Sequence, residues 1–458
     1  MILAESAENR DNAVVLGASI AGLLAARVLA DFYGVVTVVE RDLLPDGPVT
    51  RRGVPQGGLP HIPAARATQT MELLFPGFLD DLVAHGARVW DDGDLSRLCM
   101  NFGGHQLLGS GNIPDPDSLV IHYAHRPLLE WRLRCRVRAI PNVQFRDGHD
   151  AVRLTSTDQQ GRVNGVVVAR RDLASSEETL PADFVVDATG RGSRTPVFLE
   201  QLGYSRPRED ELKVHVTYSG LPVYVAPGTL RENITLRAAE PSRPMAFAMF
   251  AGESDIYMLA LQTLAGQPAP TDRVELFNCL TGIAPAHVLA AARSAEPLAD
   301  VTQYKFPSNR WRRYDKLART PDGLIVMGDA MCSFNPLYGQ GMSVAAIEAL
   351  VLRDCLRQGD ERLARRFFGL AAKEIAVAWQ TAVSSDLALP QIPGKRTASV
   401  RVRNALVDRL IWAAQSDPVM VQRFLQLMNM VGPRAELFRP STMLRMVAQR
   451  PFAAAAAS

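Results

Sequence analysis

The chain has 458 residues, more than one ordinary domain needs, and its 47% hydrophobic and 21% charged content supports a large folded core and excludes a disordered body. Against 50 Lys and Arg stand 48 Asp and Glu, so a net charge of +2 builds no nucleic-acid-binding field and nucleic acid is excluded as a partner. The five cysteines, Cys99, Cys135, Cys279, Cys332 and Cys355, are odd in number and never in C-x-x-C spacing, which argues against a disulfide framework or a zinc site and for a reducing, cytoplasmic setting.

Met1 to Asp11 carries charges and lacks the apolar centre of a secretory signal. Ala13-Val14-Val15-Leu16 then reads as a buried strand, running into Gly17-Ala18-Ser19-Ile20-Ala21-Gly22 and a helix-forming stretch through Ala30. Gly34 is the expected helix stop, Val35 to Val39 a second strand, and Glu40 stands at its carboxyl end. The chemistry of a dinucleotide site needs these types: Gly17 for a sharp turn, a small Ser19 where backbone approaches a pyrophosphate, and Gly22 for close helix–strand packing. Phosphate would rest on the free N–H groups at the helix start, with Glu40 accepting from ribose hydroxyls. Gly17-Ala18-Ser19 also begins like a nucleophile elbow, but Ala21 occupies the place of the second glycine and no Asp and His partners are placed by the sequence.

Further along, Phe184-Val185-Val186-Asp187 reads as a buried strand ending in an acid, followed by the flexible Ala188-Thr189-Gly190-Arg191-Gly192. From Leu212 to Leu264 the alternation becomes strand-like, and the runs 245–250 and 256–264 flank Gly252-Glu253-Ser254 as a hairpin, with 99–108 adding to the same sheet. Phe247, Met249, Tyr257 and Met258 on that sheet are candidates for an apolar substrate pocket, with core packing as the alternative. Arg310-Trp311-Arg312-Arg313-Tyr314 is too short and isolated for a nucleic-acid platform and is read as the return to the cofactor domain. A third strand, Leu324-Ile325-Val326, ends in Gly328-Asp329 and precedes Asn335-Pro336-Leu337-Tyr338-Gly339-Gln340-Gly341-Met342-Ser343 and a long apolar helix. The helical remainder is interrupted near Pro390 to Gly394 and closes in a low-complexity Ala453 to Ser458 tail expected to fray. No 18-residue apolar run is present, so an integral membrane segment is not expected, while peripheral membrane contact stays compatible with an oily substrate.

With its three cofactor motifs in this order, the chain resembles the FAD-dependent monooxygenases of the aromatic hydroxylase type (group A), and most of all the bacterial branch that includes polyether epoxidases, over nearly its whole length. The resemblance implies an α/β protein. A Rossmann-type (GR2-like) FAD-binding domain would be made of residues 1–80, 120–205 and 315–385, an inserted β-sheet substrate-binding domain of 81–119 and 206–314, and a C-terminal helical module of 386–458. It implies FAD held tightly but without a covalent bond, NAD(P)H as a transient reductant, and O2 as co-substrate through a flavin hydroperoxide. The substrate would be a small, largely apolar molecule of secondary metabolism that is hydroxylated or epoxidised. Cofactor contacts are then expected from Gly17, Ser19, Ile20, Ala21, Gly22, Glu40, Arg41, Arg52, Arg126, Asp187, Gly190, Gly328, Asp329, Pro336, Gly339, Gly341 and Met342. Pro127 suits a first helical turn, which puts Arg126 at a helix start, and the helix beginning near Gly341 would direct its positive end at charge accumulating on reduced flavin.

One departure from the branch is clear: Gly58-Leu59-Pro60-His61 keeps only the last histidine of an Arg-His-x-His segment, which makes His61 the one catalytic candidate among eight histidines. The segment W-x-W-x-I-P of flavin halogenases does not occur. The remaining alternative is an FAD-binding scaffold or cyclase that uses the same pocket without flavin turnover, and the oligomeric state is left open.

Overall fold

The computed structural model describes residues 10–158, 161–171, 177–432, 436 and 439–448, so the 453–458 tail and most of the Met1 to Asp11 segment lie outside the described residues. The chain divides into two compact units: residues 1–87, 124–215 and 306–383, and residues 88–123, 216–305 and 384–458. The helices beyond 384 therefore group with the second unit.

The first unit is built on five parallel strands in the order Leu324–Val326, Phe184–Asp187, Asn12–Leu16, Val35–Val39, Val143–Arg146. The three strands expected at the cofactor lie side by side and point the same way, as short apolar runs covered on both faces do. Ladder bonds continue past their ends, from Ala188 N–H to Leu16 O (2.8 Å) and from Met327 N–H to Asp187 O (3.0 Å), and so draw three glycine-rich turns to one sheet edge. The helix Ile20–Leu29 packs on the helices Gly341–Arg357 and Arg126–Arg138. It ends at Leu29 with a right-handed Ala30 cap rather than at Gly34, whose added Cβ would lie 3.1 Å from Asp11 O; Gly34 serves a close chain approach, not a helix stop. A three-stranded antiparallel sheet, Glu177–Pro181, Val163–Arg170 and His149–Ser156, completes the α/β unit.

The 310–314 segment is a charged strand end within this unit. Arg312 Nε lies 3.0 Å from Glu209, Arg313 Nη1 2.9 Å from Asp210, and Ser308 Oγ donates to Glu211 at 2.6 Å. Arg312 and Arg313 are thus paired with the Glu209-Asp210-Glu211 run, and Arg310 donates to Arg191 O, so each of these arginines has a partner within the unit.

In the second unit, the strands Met245–Ala251 and Ile256–Thr263 form the expected hairpin around Glu253–Asp255, and Ile234–Arg237, Leu98–Phe102 and His105–Gln106 extend the sheet. One face packs on the helices Arg273–Leu280 and Ala286–Ser294 through Leu259, Leu261, Leu276, Leu280 and Val288. Phe247, Met249 and Tyr257 belong to this core, which corrects their reading as pocket lining: side chains alternate along a strand, and these three fall on the helix-covered face. Met258, paired with Phe250, falls on the opposite face. Among the described residues, no helix is long and apolar enough to cross a membrane and no group of His, Cys, Asp and Glu could hold a metal ion.

Candidate functional site

The first turn is shaped by its glycines. Gly17 has φ +100°, and a Cβ on Gly22 would sit 1.8 Å from Gly17 O, so the helix can seat on the strand only with a hydrogen there. Ser19 occupies the N-cap position of the helix Ile20–Leu29 without capping it. Its hydroxyl instead donates to Glu130 (2.8 Å) and accepts from Arg126 Nη2 (2.8 Å), which leaves the first helical N–H groups without a side-chain partner. Arg126 opens the helix Arg126–Arg138, with Pro127 in its first turn as expected.

Behind Ser19 lies a buried ionic net. Glu40 accepts from Ala18 N–H (2.8 Å) and Asp42 N–H (3.0 Å), and Arg51 reaches Glu40 (3.0 Å), Asp42 (3.3 Å) and Glu130 (2.7 Å) at once. Arg51 was not singled out from the Arg51-Arg52 pair, yet its side chain is buried and central to this net, whereas Arg52, the expected cofactor contact, is exposed. Glu130 was likewise passed over, although its place one turn after Arg126 on a helix start is a readable signal. Arg41 is exposed beside this net, its Nε 4.0 Å from Asp42.

The second turn differs from expectation in one respect. Both oxygens of the Asp187 carboxylate are engaged by its own loop, by Thr189 N–H and Oγ1 on one side and by Ser193 and Thr195 hydroxyls on the other. Asp187 thus folds the 188–195 turn and presents no free carboxylate to a ligand. Gly190, at φ +74°, and Gly192 have nothing within 4 Å of an added Cβ and border open space. Arg191 is tied to Ser308 and Ser333 and stacks over Phe306 at 4.9 Å.

The third turn, Gly328–Ala330, rests on the first: a Cβ on Gly328 would be 2.8 Å from that of Ala21. Asp329 is open to solvent, yet protein surrounds it closely enough for burial to raise its pKa against the opposing pull of Arg126 and Arg191, as expected at the floor of a concavity. The 3-10 turn Pro336–Tyr338 ends on Gly339 at φ +65°, again with open space at its Cβ, and Gly341 begins the long helix without a side-chain cap. Met342 is buried, Ile20 and Ala21 lie at the helix start, and Gly328 against Ala21 and Gly341 near Asp329 bring the first and third turns and the long helix together at the strand ends where Asp187 also lies. His61 is half-buried near Arg126; burial first and that positive charge second hold its imidazole neutral, with the pKa lowered to about 3. Its NMR signals are therefore expected not to titrate between about pH 5 and 8, whereas a midpoint near that of a free histidine would place it in solvent.

The concave edge fits FAD on independent grounds. Near the helix starts, Gln340 Oε1 and Ser343 Oγ are buried without a hydrogen-bond partner among the described residues, and Arg51 Nη2 and Arg126 Nε carry no hydrogen bond although both guanidinium groups are ion-paired to Glu130. Buried polar atoms left this way point to a ligand that completes them.

No protein-family model matches the chain. Protein Rv3254 of Mycobacterium tuberculosis is 35% identical over 436 residues, covering 92% of this chain and 90% of that protein. Kynurenine 3-monooxygenase of Salinispora arenicola is 27% identical over 454 residues, covering 92% and 88%. Among solved structures, a flavoprotein/dehydrogenase from Cytophaga hutchinsonii superposes with a TM-score of 0.66 at 15% identity, over 96% of this chain and 98% of that one. PqsL, a probable FAD-dependent monooxygenase from Pseudomonas aeruginosa, superposes with a TM-score of 0.60 at 18% identity, over 86% and 99%. The chain thus belongs to the family of the mycobacterial protein Rv3254 and is folded as FAD-binding monooxygenases are.

Proposed function

We propose that the protein is an FAD-dependent monooxygenase that uses NAD(P)H and O2 to hydroxylate or epoxidise a small, largely apolar organic molecule. The carrying observation is the convergence of three glycine-rich turns and an uncapped helix start on one edge, beside the ion-paired guanidinium groups of Arg51 and Arg126. The likeness to kynurenine 3-monooxygenase and to PqsL supports the reaction class. The finer kinship with the polyether epoxidase-like branch, a role in secondary metabolism and a cytoplasmic location belong to the same proposal.

When bound, FAD supplies the redox chemistry that activates oxygen. The chain's own residues do the rest. The N–H groups of the helix Ile20–Leu29, with Ser19 and Arg126, would hold the pyrophosphate, and Glu40 and Arg51 would border the adenosine. Asp329 would accept from the ribityl hydroxyls, and the N–H groups at the start of the helix Gly341–Arg357 would offset negative charge at the pyrimidine edge. Met258 remains a candidate for the substrate side, being on the sheet face away from the core helices.

The test is spectroscopic. Purified protein with added FAD is expected to show bound flavin that bleaches with NADPH or NADH without air and recovers in air, with nucleotide and oxygen consumption rising several-fold once substrate is present. Bound flavin that turns over substrate without oxygen uptake would favour the scaffold or cyclase reading, and absence of flavin binding would sink the proposal.

A further inference from the structure

Glu348 is the one charged residue type where the helix Gly341–Arg357 should be wholly apolar. It lies on the same face as Val344, Ala345, Leu352 and Cys355 and is fully buried. Its Oε2 accepts the N–H of Gly328 at 2.5 Å, while Oε1 has no hydrogen-bond partner and no cation pairs with the carboxyl among the described residues. A carboxylate with a single backbone donor is too costly to bury, so the group is held as the neutral acid. Burial raises its pKa to about 8, with Asp329 adding to the rise and the Gly328 N–H opposing it.

The place of the contact gives it consequence. Gly328 is left-handed at φ +62° and abuts Ala21, so its N–H can point toward Glu348 only in the conformation that seats the third turn on the first. Arg312 Nη1 holds the far side of the same turn through Ala330 O (2.8 Å), and Asp329 lies between the two fixed points. We propose that Glu348 is a positioning residue for the cofactor: as a neutral acid it pins the Gly328–Ala330 turn with Asp329 set toward bound FAD, and its ionisation loosens the turn and weakens FAD binding. The inference rests on the FAD reading above.

The sign follows from the surroundings. The titratable groups facing Glu348 are Asp329, which repels its anion, and Cys332, whose thiol is held neutral by burial and brings no compensating charge. On the helices Ile20–Leu29 and Ala65–Leu74, packed on the same helix, Arg27 is bound to Leu74 O and Asp31, Glu72 to the Gly77 and Leu79 N–H groups, and Arg66 is half-buried at the start of the second. As pH rises through the folded-state pKa, a second negative charge beside Asp329 can be relieved only by opening the turn to water. Affinity is therefore full below about pH 8 and lost above it.

The experiment is a fluorescence titration of the FAD-free full-length protein with FAD, from about pH 6 to 9.5, for wild type, E348Q and E348A, with circular dichroism as the folding control. Wild-type Kd is expected to stay level and then rise at least about fivefold across the upper end, approaching about tenfold per pH unit if only the neutral form binds. E348Q, which keeps the acceptor carbonyl and cannot ionise, is expected to bind like the wild type at low pH and to lack the rise. E348A is expected to bind about tenfold more weakly throughout. An equal rise in wild type and E348Q, or wild-type affinity and profile in E348A, overturns the inference and leaves FAD binding standing; should E348A not fold, the E348Q profile decides alone. Wild type that binds no FAD at any pH overturns the cofactor reading, and this inference with it.

Discussion

R51A is expected to destabilise the first unit by about 3–5 kcal/mol and to strip it of FAD, while R52A changes neither by more than about 0.5 kcal/mol. Arg51 and the three carboxylates around it, Glu40, Asp42 and Glu130, have side chains only 6–8% exposed. Their mutual repulsion is offset chiefly by this one guanidinium, and removing it leaves, among the described residues, Glu40 with no cation, Asp42 with only the exposed Arg41 at 4.0 Å and Glu130 with Arg126 at 3.6 Å. Arg126 lies 3.6 Å from Glu130 alone and cannot replace a fork that serves all three. R51K should fall between, because an ammonium keeps the charge but cannot reach three directions from one plane. Urea denaturation followed by tryptophan fluorescence, paired with FAD retained on gel filtration, reads both effects. An R51A protein as stable as R52A would mean that the carboxylates take up protons or water at little cost, and the net would then be incidental to the site.

The contrast between two adjacent arginines shows where the sequence was readable. The strand–turn–helix around Gly17 to Gly22 could be recognised because each of its requirements is local: apolar run, small residues at fixed spacing, helix formers, an acid at the next strand end. The Arg51 loop has no period, so nothing local separates a residue turned inward from one turned to solvent. The sheet of the second unit had a period but no direction. Alternation divides Phe247 and Met249 from Ala248, yet only the helices Arg273–Leu280 and Ala286–Ser294, arriving from later in the chain, decide which face becomes core. Asp187 was misread for a different reason. Its Thr189, Ser193 and Thr195 neighbours are hydroxyl residues at turn spacing, the pattern by which an acid is used up by its own loop. Glu348 did leave a signal, a lone acid in an apolar helical stripe, but its partner is a backbone N–H twenty residues earlier that no side-chain pattern reveals.

G22A should be the most damaging small substitution in the chain, whereas G190A should be mild. An added methyl at Gly22 would stand 1.8 Å from Gly17 O and 2.9 Å from Gly17 C, both backbone atoms of the turn that carries the N–H groups for phosphate. The helix Ile20–Leu29 must then lift from the strand Asn12–Leu16, and its buried Leu23, Leu24 and Val28 lose contact with the sheet together. A shift of that kind costs several kcal/mol, about 3 or more, because the clash is with main chain and no rotamer can yield. Gly190 is different in kind: its φ of +74° strains an L side chain, but nothing lies within 4 Å of the added methyl, so the cost is limited to about 1–2 kcal/mol of backbone preference. Gly17 stands between the two, since it combines φ +100° with a Cβ position 2.5 Å from Ala188 O. Thermal denaturation of G22A, G17A and G190A, with FAD affinity measured on those that fold, should rank them in that order of damage. G22A that melts with the wild type and binds FAD as tightly would show that the helix can move without disturbing the turn, and the fit of the cofactor edge would then have to rest on Arg126 and Ser19 rather than on the helix start.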